Sequence, residues 1–258
     1  MKAKLNSKFR GSSSYKGYLL NLFRASPWST STLVEILSRR GFLVRLEDNQ
    51  LFFSEGNTQD DIAYLAKFSD SNPFIPSNHS HFPYKIDFSA FAREKTLSMI
   101  LHSPHLGFTT IGKDINEDPR KAFIKNKFGP KVPVKALDIG IASFVKALPI
   151  CAVRTRYCCD GHDNEFPYID FVSRVHLWWF QFLVEHFFLR NGHLASIQFE
   201  YDNGRFHDGR VTFKIQSGMN DMISIFSELH EASNLIRTEG TRKQILDLKE
   251  KYIFRLGP

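Results

Sequence analysis

The sequence has few cysteines and no long apolar run. Only three of its 258 residues are Cys, and two of these are adjacent, so a disulfide framework is not expected. The longest apolar run, from Val175 to Leu189, contains polar and charged side chains and is shorter than the ~20 residues of a membrane helix. No Walker A, dinucleotide-binding, zinc-protease or nucleophile-elbow motif is present. We therefore expect a cytoplasmic protein without a membrane partner, and no familiar enzyme class is supported.

Acidic residues are scarce near the N-terminus. Residues 1–45 contain nine Lys or Arg and one acid, Glu35, whereas the rest of the chain holds 25 of the 34 basic groups and 26 of the 27 acidic groups. Residues 1–14 end in Gly-Ser-Ser-Ser and are predicted to be a flexible basic arm. Such an arm on a nearly neutral body indicates either a solvated tail or contact with RNA or DNA. The arm residues predicted to contact phosphates are Lys2, Lys4, Lys8 and Arg10.

Residues 15–68 are predicted to form a small helix-hairpin-helix module. Apolar spacing predicts a helix over residues 15–24, and Thr32-x-x-Glu35 predicts a second helix that ends before Gly41. A hairpin with its tip at residues 47–49 follows, and Thr58-x-x-Asp61 opens a third helix.

The stretch from Leu33 through Gly41 to Leu51 resembles the small docking-domain family first known from the ends of modular peptide synthetases. The shared features are a leucine pair, the glycine and a charged hairpin tip. The resemblance implies a protein partner that docks through residues 30–68. A winged helix that uses Arg39 and Arg40, and a purely structural role within one core, are the alternatives.

Residues 69–84 are rich in Ser, Asn and Pro and are predicted to be a linker to a second domain over residues 85–258. From Pro133 onward the predicted order is helix, strand, strand, helix, strand, strand, helix. This order indicates an α+β fold in which a largely antiparallel sheet carries its helices on one face.

The candidate site is the run Cys158-Cys159-Asp160-Gly161-His162, between predicted strands over residues 151–159 and 168–173. We predict Cys159 as a nucleophile activated by nearby positive charge, with Asp160 and His162 as an acid/base pair. Gly161 would let the backbone approach a ligand closely. Strand alternation places two arginines opposite the core face, where they would bind a phosphate or carboxylate: Arg154 and Arg156.

Two other interpretations of this turn compete. Cys159 and His162 are possible zinc ligands, but a structural site needs four ligands and no second C-x-x-C or H-x-x-x-H pattern is present, so no metal is predicted. Alternatively, the cysteines fill the core and Asp160-Gly161-His162 is only a turn. The strand register decides whether Asp170 faces the arginines or the core.

Residues 148–172 resemble the S-C-x-G-(H or R) turn of uncharacterised prokaryotic and phage proteins. Cys159, Gly161 and His162 match that pattern, with Cys158 at its serine. More remotely, the segment resembles the tRNA wybutosine-synthesis methyltransferase family, with His162 at its arginine. That resemblance implies a pocket for S-adenosylmethionine and RNA.

The sequence leaves three hypotheses for function. The favoured one is a nucleic-acid-associated protein, with an RNA- or DNA-modifying site at the Cys-Cys-Asp-Gly-His turn. The others are a non-enzymatic adaptor that docks through residues 30–68 and a protein that binds a small molecule at the turn.

Overall fold

A computed structural model of the protein describes residues 12–54, 56–70, 75–79, 82–102, 132–162, 165–202, 209–215, 222–238 and 240–255. The helices are α1 (Ser12–Ala25), α2 (Thr30–Arg40), α3 (Gln59–Ala66), α4 (Arg93–Leu101), α5 (Ile139–Ala147), α6 (Arg174–Leu183), α7 (Met222–Arg237) and α8 (Thr241–Arg255). The strands are β1 (Val44–Glu47), β2 (Gln50–Phe53), β3 (Ile75–His79), β4 (Phe82–Asp87), β5 (Thr155–Cys159), β6 (Tyr168–Phe171), β7 (Ile197–Asp202) and β8 (Arg210–Ile215). The predicted arm residues Lys2, Lys4, Lys8 and Arg10 lie outside the described residues.

The strands form two four-stranded sheets, with orders β1-β2-β4-β3 and β5-β6-β8-β7. Every strand pairing between described residues is antiparallel. The α+β class with antiparallel sheets is therefore confirmed, as is the N-terminal order of helices and hairpin. No helix in the described parts of the chain combines the length and apolar character needed to cross a bilayer.

Local sequence signals explain most of the N-terminal boundaries. Gly41 ends α2 with φ of 102°, and Thr58 and Asp61 form the predicted capping box of α3. The prediction that Thr32 caps α2 is wrong, because the Ser29 hydroxyl accepts a hydrogen bond from the Thr32 backbone N–H and the helix starts at Thr30.

The segment predicted to be a linker contributes to the first sheet. Strand β4 pairs with β2 through Tyr84 and Phe53, and β3 pairs with β4 through Pro76 and Tyr84. Pro76 is tolerated because β3 is an edge strand. Despite the Ser, Asn and Pro content of residues 69–84, residues 75–79 and 82–84 thus belong to paired strands of this sheet.

Helix α1 packs into the larger of two apolar cores, which otherwise consists mainly of residues after position 131. Its Tyr15, Leu19 and Phe23 are buried, and the Tyr15 ring lies 4.9 Å from the ring of Phe226 on α7. The smaller core lies between α2, α3, α4 and the first sheet. The N-terminal helices therefore share packing with the C-terminal half.

Helix α5 lies at the centre of this packing. All nine of its residues, Ile139 to Ala147, are buried. Such complete burial holds the start of the helix rigidly, and this matters because Asp138, the residue before it, faces the candidate site.

Candidate functional site

The candidate turn starts where β5 ends. The chain passes from Cys159 through Asp160 to Gly161, which has φ of 88°, and to His162, with φ of 40°. The Glu165 backbone N–H donates to the Gly161 carbonyl at 2.9 Å and closes the turn. A Cβ atom on residue 161 would lie 2.0 Å from the Glu165 carbonyl oxygen, so only glycine fits.

Asp138 joins this turn from the start of α5, although the sequence analysis did not identify it. It occupies the N-cap position, but its carboxylate makes no capping hydrogen bond to the helix. Instead, its Oδ2 accepts from the backbone N–H of Asp160 at 3.5 Å. An Asp before an apolar helix predicts an N-cap from the sequence. It does not predict that the side chain contacts a turn distant in the chain.

The imidazole of His162 lies between the two carboxylates. Its Nδ1 is 3.3 Å from Asp160 Oδ1, and its Nε2 is 3.6 Å from Asp138 Oδ2. The His162 side chain is 57% exposed, whereas both carboxylates are buried. The cluster therefore reaches solvent through the imidazole.

Asp160 is fully buried and incompletely hydrogen-bonded. Its Oδ1 accepts from the His162 backbone N–H at 3.3 Å, while its Oδ2 has no hydrogen-bond partner among the described residues. Burial and the neighbouring Asp138 raise the pKa of Asp160 to about 7, although the charge of His162 opposes this. Burial also raises the pKa of Asp138. Two carboxylates thus share a site that accommodates two negative charges poorly.

Cys159 is not an activated thiol in this arrangement. Burial and the charges of Asp138 and Asp160 raise its pKa to about 11, against an opposing hydrogen bond from the Gly161 N–H. The expectation that positive charge lowers this pKa is wrong, because the charges that act on the thiol are those of carboxylates. Cys158 packs against the larger core, and Cys151 is buried as predicted.

The two arginines of the predicted phosphate site lie in different environments. Arg154 is buried, and its backbone N–H donates to His176 Nδ1 at 3.3 Å. The Arg156 guanidinium lies 5.5 Å from the Tyr157 ring. Strand β5 begins only at Thr155, and its pairing shifts register before Tyr157, so the alternation predicted over residues 151–159 is not maintained.

Asp170, whose orientation the sequence left open, pairs with an arginine from another strand. Arg210 on β8 binds it through two hydrogen bonds, of 2.5 Å and 2.8 Å. The Arg210 guanidinium also lies 4.0 Å from the Tyr168 ring centre. This bidentate pair stabilises the middle of the second sheet.

Positive charge reaches the cluster from α1. Burial dominates the pKa values of Asp138 and Asp160, but the charge of Lys16 acts on both in the opposite direction. Ser12, the first residue of α1, precedes Lys16 by four residues, or about 6 Å along the helix axis. The predicted basic arm therefore leads into a helix whose charge acts on both carboxylates.

The assembled side chains are of the types that bind metal ions. Asp138, Cys159, Asp160 and His162 each offer one ligand atom, and these atoms all lie within 4.8 Å of one another. The turn by itself holds fewer than the four ligands of a structural zinc site, and Asp138 supplies the fourth. We call these four residues the Asp138 cluster.

Comparison with known proteins does not identify a relative. No protein-family model matches the chain, and no curated protein or solved structure matches it either. The resemblances to the S-C-x-G-H turn, to the tRNA methyltransferase family and to docking domains therefore remain predictions. The case for a site rests on the geometry of the Asp138 cluster.

Proposed function

We propose that this protein is a nucleic-acid-associated enzyme that modifies RNA or DNA at the Asp138 cluster. The observation that carries the proposal is that the charge of Lys16, on the helix that follows the predicted basic segment, acts on the carboxylates of both Asp138 and Asp160. A polyanion held by that segment would lie beside the exposed His162.

The residues have distinct roles in this proposal. The basic arm contacts phosphates regardless of the nucleotide sequence, through Lys2, Lys4, Lys8 and Arg10. Lys16 extends that basic surface toward the cluster. His162 meets the substrate because its imidazole is the most exposed part of the cluster. Asp160 orients it through the contact with Nδ1.

The remaining predicted site residues have supporting roles. Cys159 and Gly161 shape the turn through the Gly161 N–H, which donates to Cys159 Sγ at 3.3 Å. Arg156 is half-buried and is the better placed arginine for an anionic group. The buried Arg154 would support the strand instead.

An adaptor that docks through residues 30–68 is less well supported. Asp61 of this module forms a buried ion pair with Lys146 of α5, and Ser38 receives a hydrogen bond from Arg237 of α7. Both contacts join the module to helices of the C-terminal half. This integration of the module into the fold counts against a free-standing docking domain.

The test is nucleic-acid binding as a function of salt concentration. Fluorescence anisotropy with a mixed-sequence single-stranded RNA and with a DNA duplex compares the full chain with a variant in which Lys2, Lys4, Lys8 and Arg10 are replaced by Gln. The slope of log K against log salt should fall by about 0.7 to 0.9 for each phosphate contact that is lost. The matched control replaces four exposed lysines of the folded body: Lys67, Lys135, Lys243 and Lys251.

Activity is tested separately from binding. The same RNA and DNA, incubated with the protein, are digested to nucleosides and analysed by mass spectrometry for a new modified nucleoside or for strand cleavage. His162→Ala should retain binding and lose the product. If the full chain binds neither nucleic acid, or if the control loses as much affinity as the arm variant, the proposal fails.

A further inference from the structure

We propose that the Asp138 cluster is a binding site for a divalent transition-metal ion, with Zn²⁺ as the best match. The ligands would be the carboxylates of Asp138 and Asp160, the thiolate of Cys159 and the imidazole of His162. The inference goes beyond the proposed function and shares only its location. Metal binding can be measured without nucleic acid.

The composition of the cluster favours zinc over the hard cations. Ca²⁺ and Mg²⁺ prefer oxygen ligands, whereas a thiolate and an imidazole beside two carboxylates form the mixed set that suits Zn²⁺. In a tetrahedral zinc site with bonds of about 2.0–2.3 Å, neighbouring ligand atoms stand roughly 3.3–3.8 Å apart. The four candidate ligand atoms, one from each residue, already lie within 4.8 Å of one another, so a small contraction of the cluster would give that spacing.

A second observation points to a ligand independently of the residue types. Asp160 is fully buried, and its Oδ2 accepts no hydrogen bond from the described residues. A buried carboxylate oxygen without a partner is costly, and so is a second buried carboxylate beside it. A divalent cation would satisfy the free oxygen and neutralise both charges. Protonation of one carboxylate would remove only part of this cost.

The cluster also has the rigidity and access that a metal site needs. Asp138 is held by the buried helix α5, and Cys159 is the last residue of a paired strand. Gly161 fixes the turn, because the Glu165 carbonyl leaves no room for a side chain there. The exposed imidazole of His162 gives the ion a route from solvent. The three ligands Asp138, Cys159 and Asp160 would thus be held in place by the fold. The exposed imidazole of His162 would complete the site when the ion binds.

Metal binding is tested on the full chain with Zn²⁺ and with Co²⁺ as a spectroscopic probe. Protein treated with a chelator is loaded with either ion, passed through gel filtration and analysed for metal content by mass spectrometry. We expect one ion per chain. With Co²⁺ we also expect a thiolate-to-metal charge-transfer absorption in the near ultraviolet, which requires a Cys ligand.

Variants separate the cluster from adventitious binding. Cys159→Ser should abolish the charge-transfer absorption, whereas Cys158→Ser, which removes the adjacent thiol outside the cluster, should keep it. Asp160→Asn and His162→Ala should each weaken Zn²⁺ binding by about tenfold or more. His193→Ala provides the control for a histidine elsewhere on the chain.

The result that overturns the inference is an unmodified chain that retains neither ion after gel filtration. Equal metal content in the unmodified protein, His162→Ala and Asp160→Asn would also overturn it. His162→Ala keeps the test decisive if Cys159→Ser fails to fold, because the exposed imidazole contributes little packing. Metal binding without nucleic-acid binding would contradict only the proposed function, and the reverse result would contradict only the metal site.

Discussion

Lys146 and Asp61, 85 residues apart in the chain, form a buried ion pair with 2.7 Å between Nζ and Oδ2. The ammonium also donates to the Val132 carbonyl at 2.8 Å, and Asp61 accepts from the Thr58 and Val134 backbone N–H groups. Both charges are therefore well satisfied. The pair joins α3 to α5, the helix that positions Asp138.

We expect Lys146→Met to destabilise the protein by about 3–5 kcal/mol, because Asp61 would keep a buried charge without its cation. The matched control is Lys135→Met. Lys135 forms an exposed ion pair, at 3.3 Å, with Asp60, the residue before Asp61. That change should cost about 0–1 kcal/mol. Urea unfolding followed by circular dichroism measures both, and equal losses would show that the buried pair has no special role.

Gly161→Ala should be more destabilising than Gly192→Ala. Both glycines have positive φ, of 88° and 75°, so each substitution brings a similar backbone strain of about 1–2 kcal/mol. A Cβ at residue 161 meets the Glu165 carbonyl at 2.0 Å, whereas one at residue 192 meets nothing within 4 Å. The difference in unfolding free energy isolates the steric clash. Equal values for the two variants would indicate that the turn relaxes freely.

Acid should destabilise the fold through His176. Burial and the charges of Arg154 and Lys249 lower its pKa from 6.5 to about 3, so the folded state holds a neutral imidazole. Protonation of His176 therefore favours the unfolded chain. The stability that the neutral imidazole contributes is fully present above pH 6.5 and is lost as the pH falls toward 3. The loss proceeds with a slope of about 1.4 kcal/mol per pH unit.

His176→Gln removes this titration while keeping an acceptor for the Arg154 N–H. The free energy of unfolding, measured from pH 7 to pH 4, should therefore fall less steeply with pH in the variant. The difference in slope should correspond to about one proton fewer taken up on unfolding. His193→Gln, which changes a histidine elsewhere on the chain, is the control for the substitution itself. An unchanged slope in His176→Gln would refute the assignment.

A fragment of residues 85–258 should fail to unfold cooperatively. It lacks Tyr15, Leu19 and Phe23, which are buried in the larger core, and its loss of α1 uncovers the ring of Phe226. The Ser- and Pro-rich composition of residues 69–84 predicts the opposite, a fragment that folds alone. Thermal denaturation followed by circular dichroism decides between them, with residues 12–258 as the control that retains α1.

Most signals that act over a few residues were read correctly from the sequence, although the cap of α2 was not. Gly41 ends α2 because glycine accepts a positive φ, and Thr58 caps α3 because Asp61 is one turn away. The hairpin at Asp48 and Asn49 also follows from local chemistry, since both residues adopt positive φ. The class of the fold follows from the order of such elements.

Contacts between distant residues were decided by the tertiary structure alone. Asp138 meets Asp160 and His162 because the packing of α5 brings its N-terminus to the end of β5, and no local pattern encodes that distance. Arg154 is likewise buried, although strict alternation over residues 151–159 would expose it, because β5 begins only at Thr155. The residue types of the turn were visible in the sequence. Their charge balance, and with it the chemistry of Cys159, depended on a carboxylate that only folding brings to the turn.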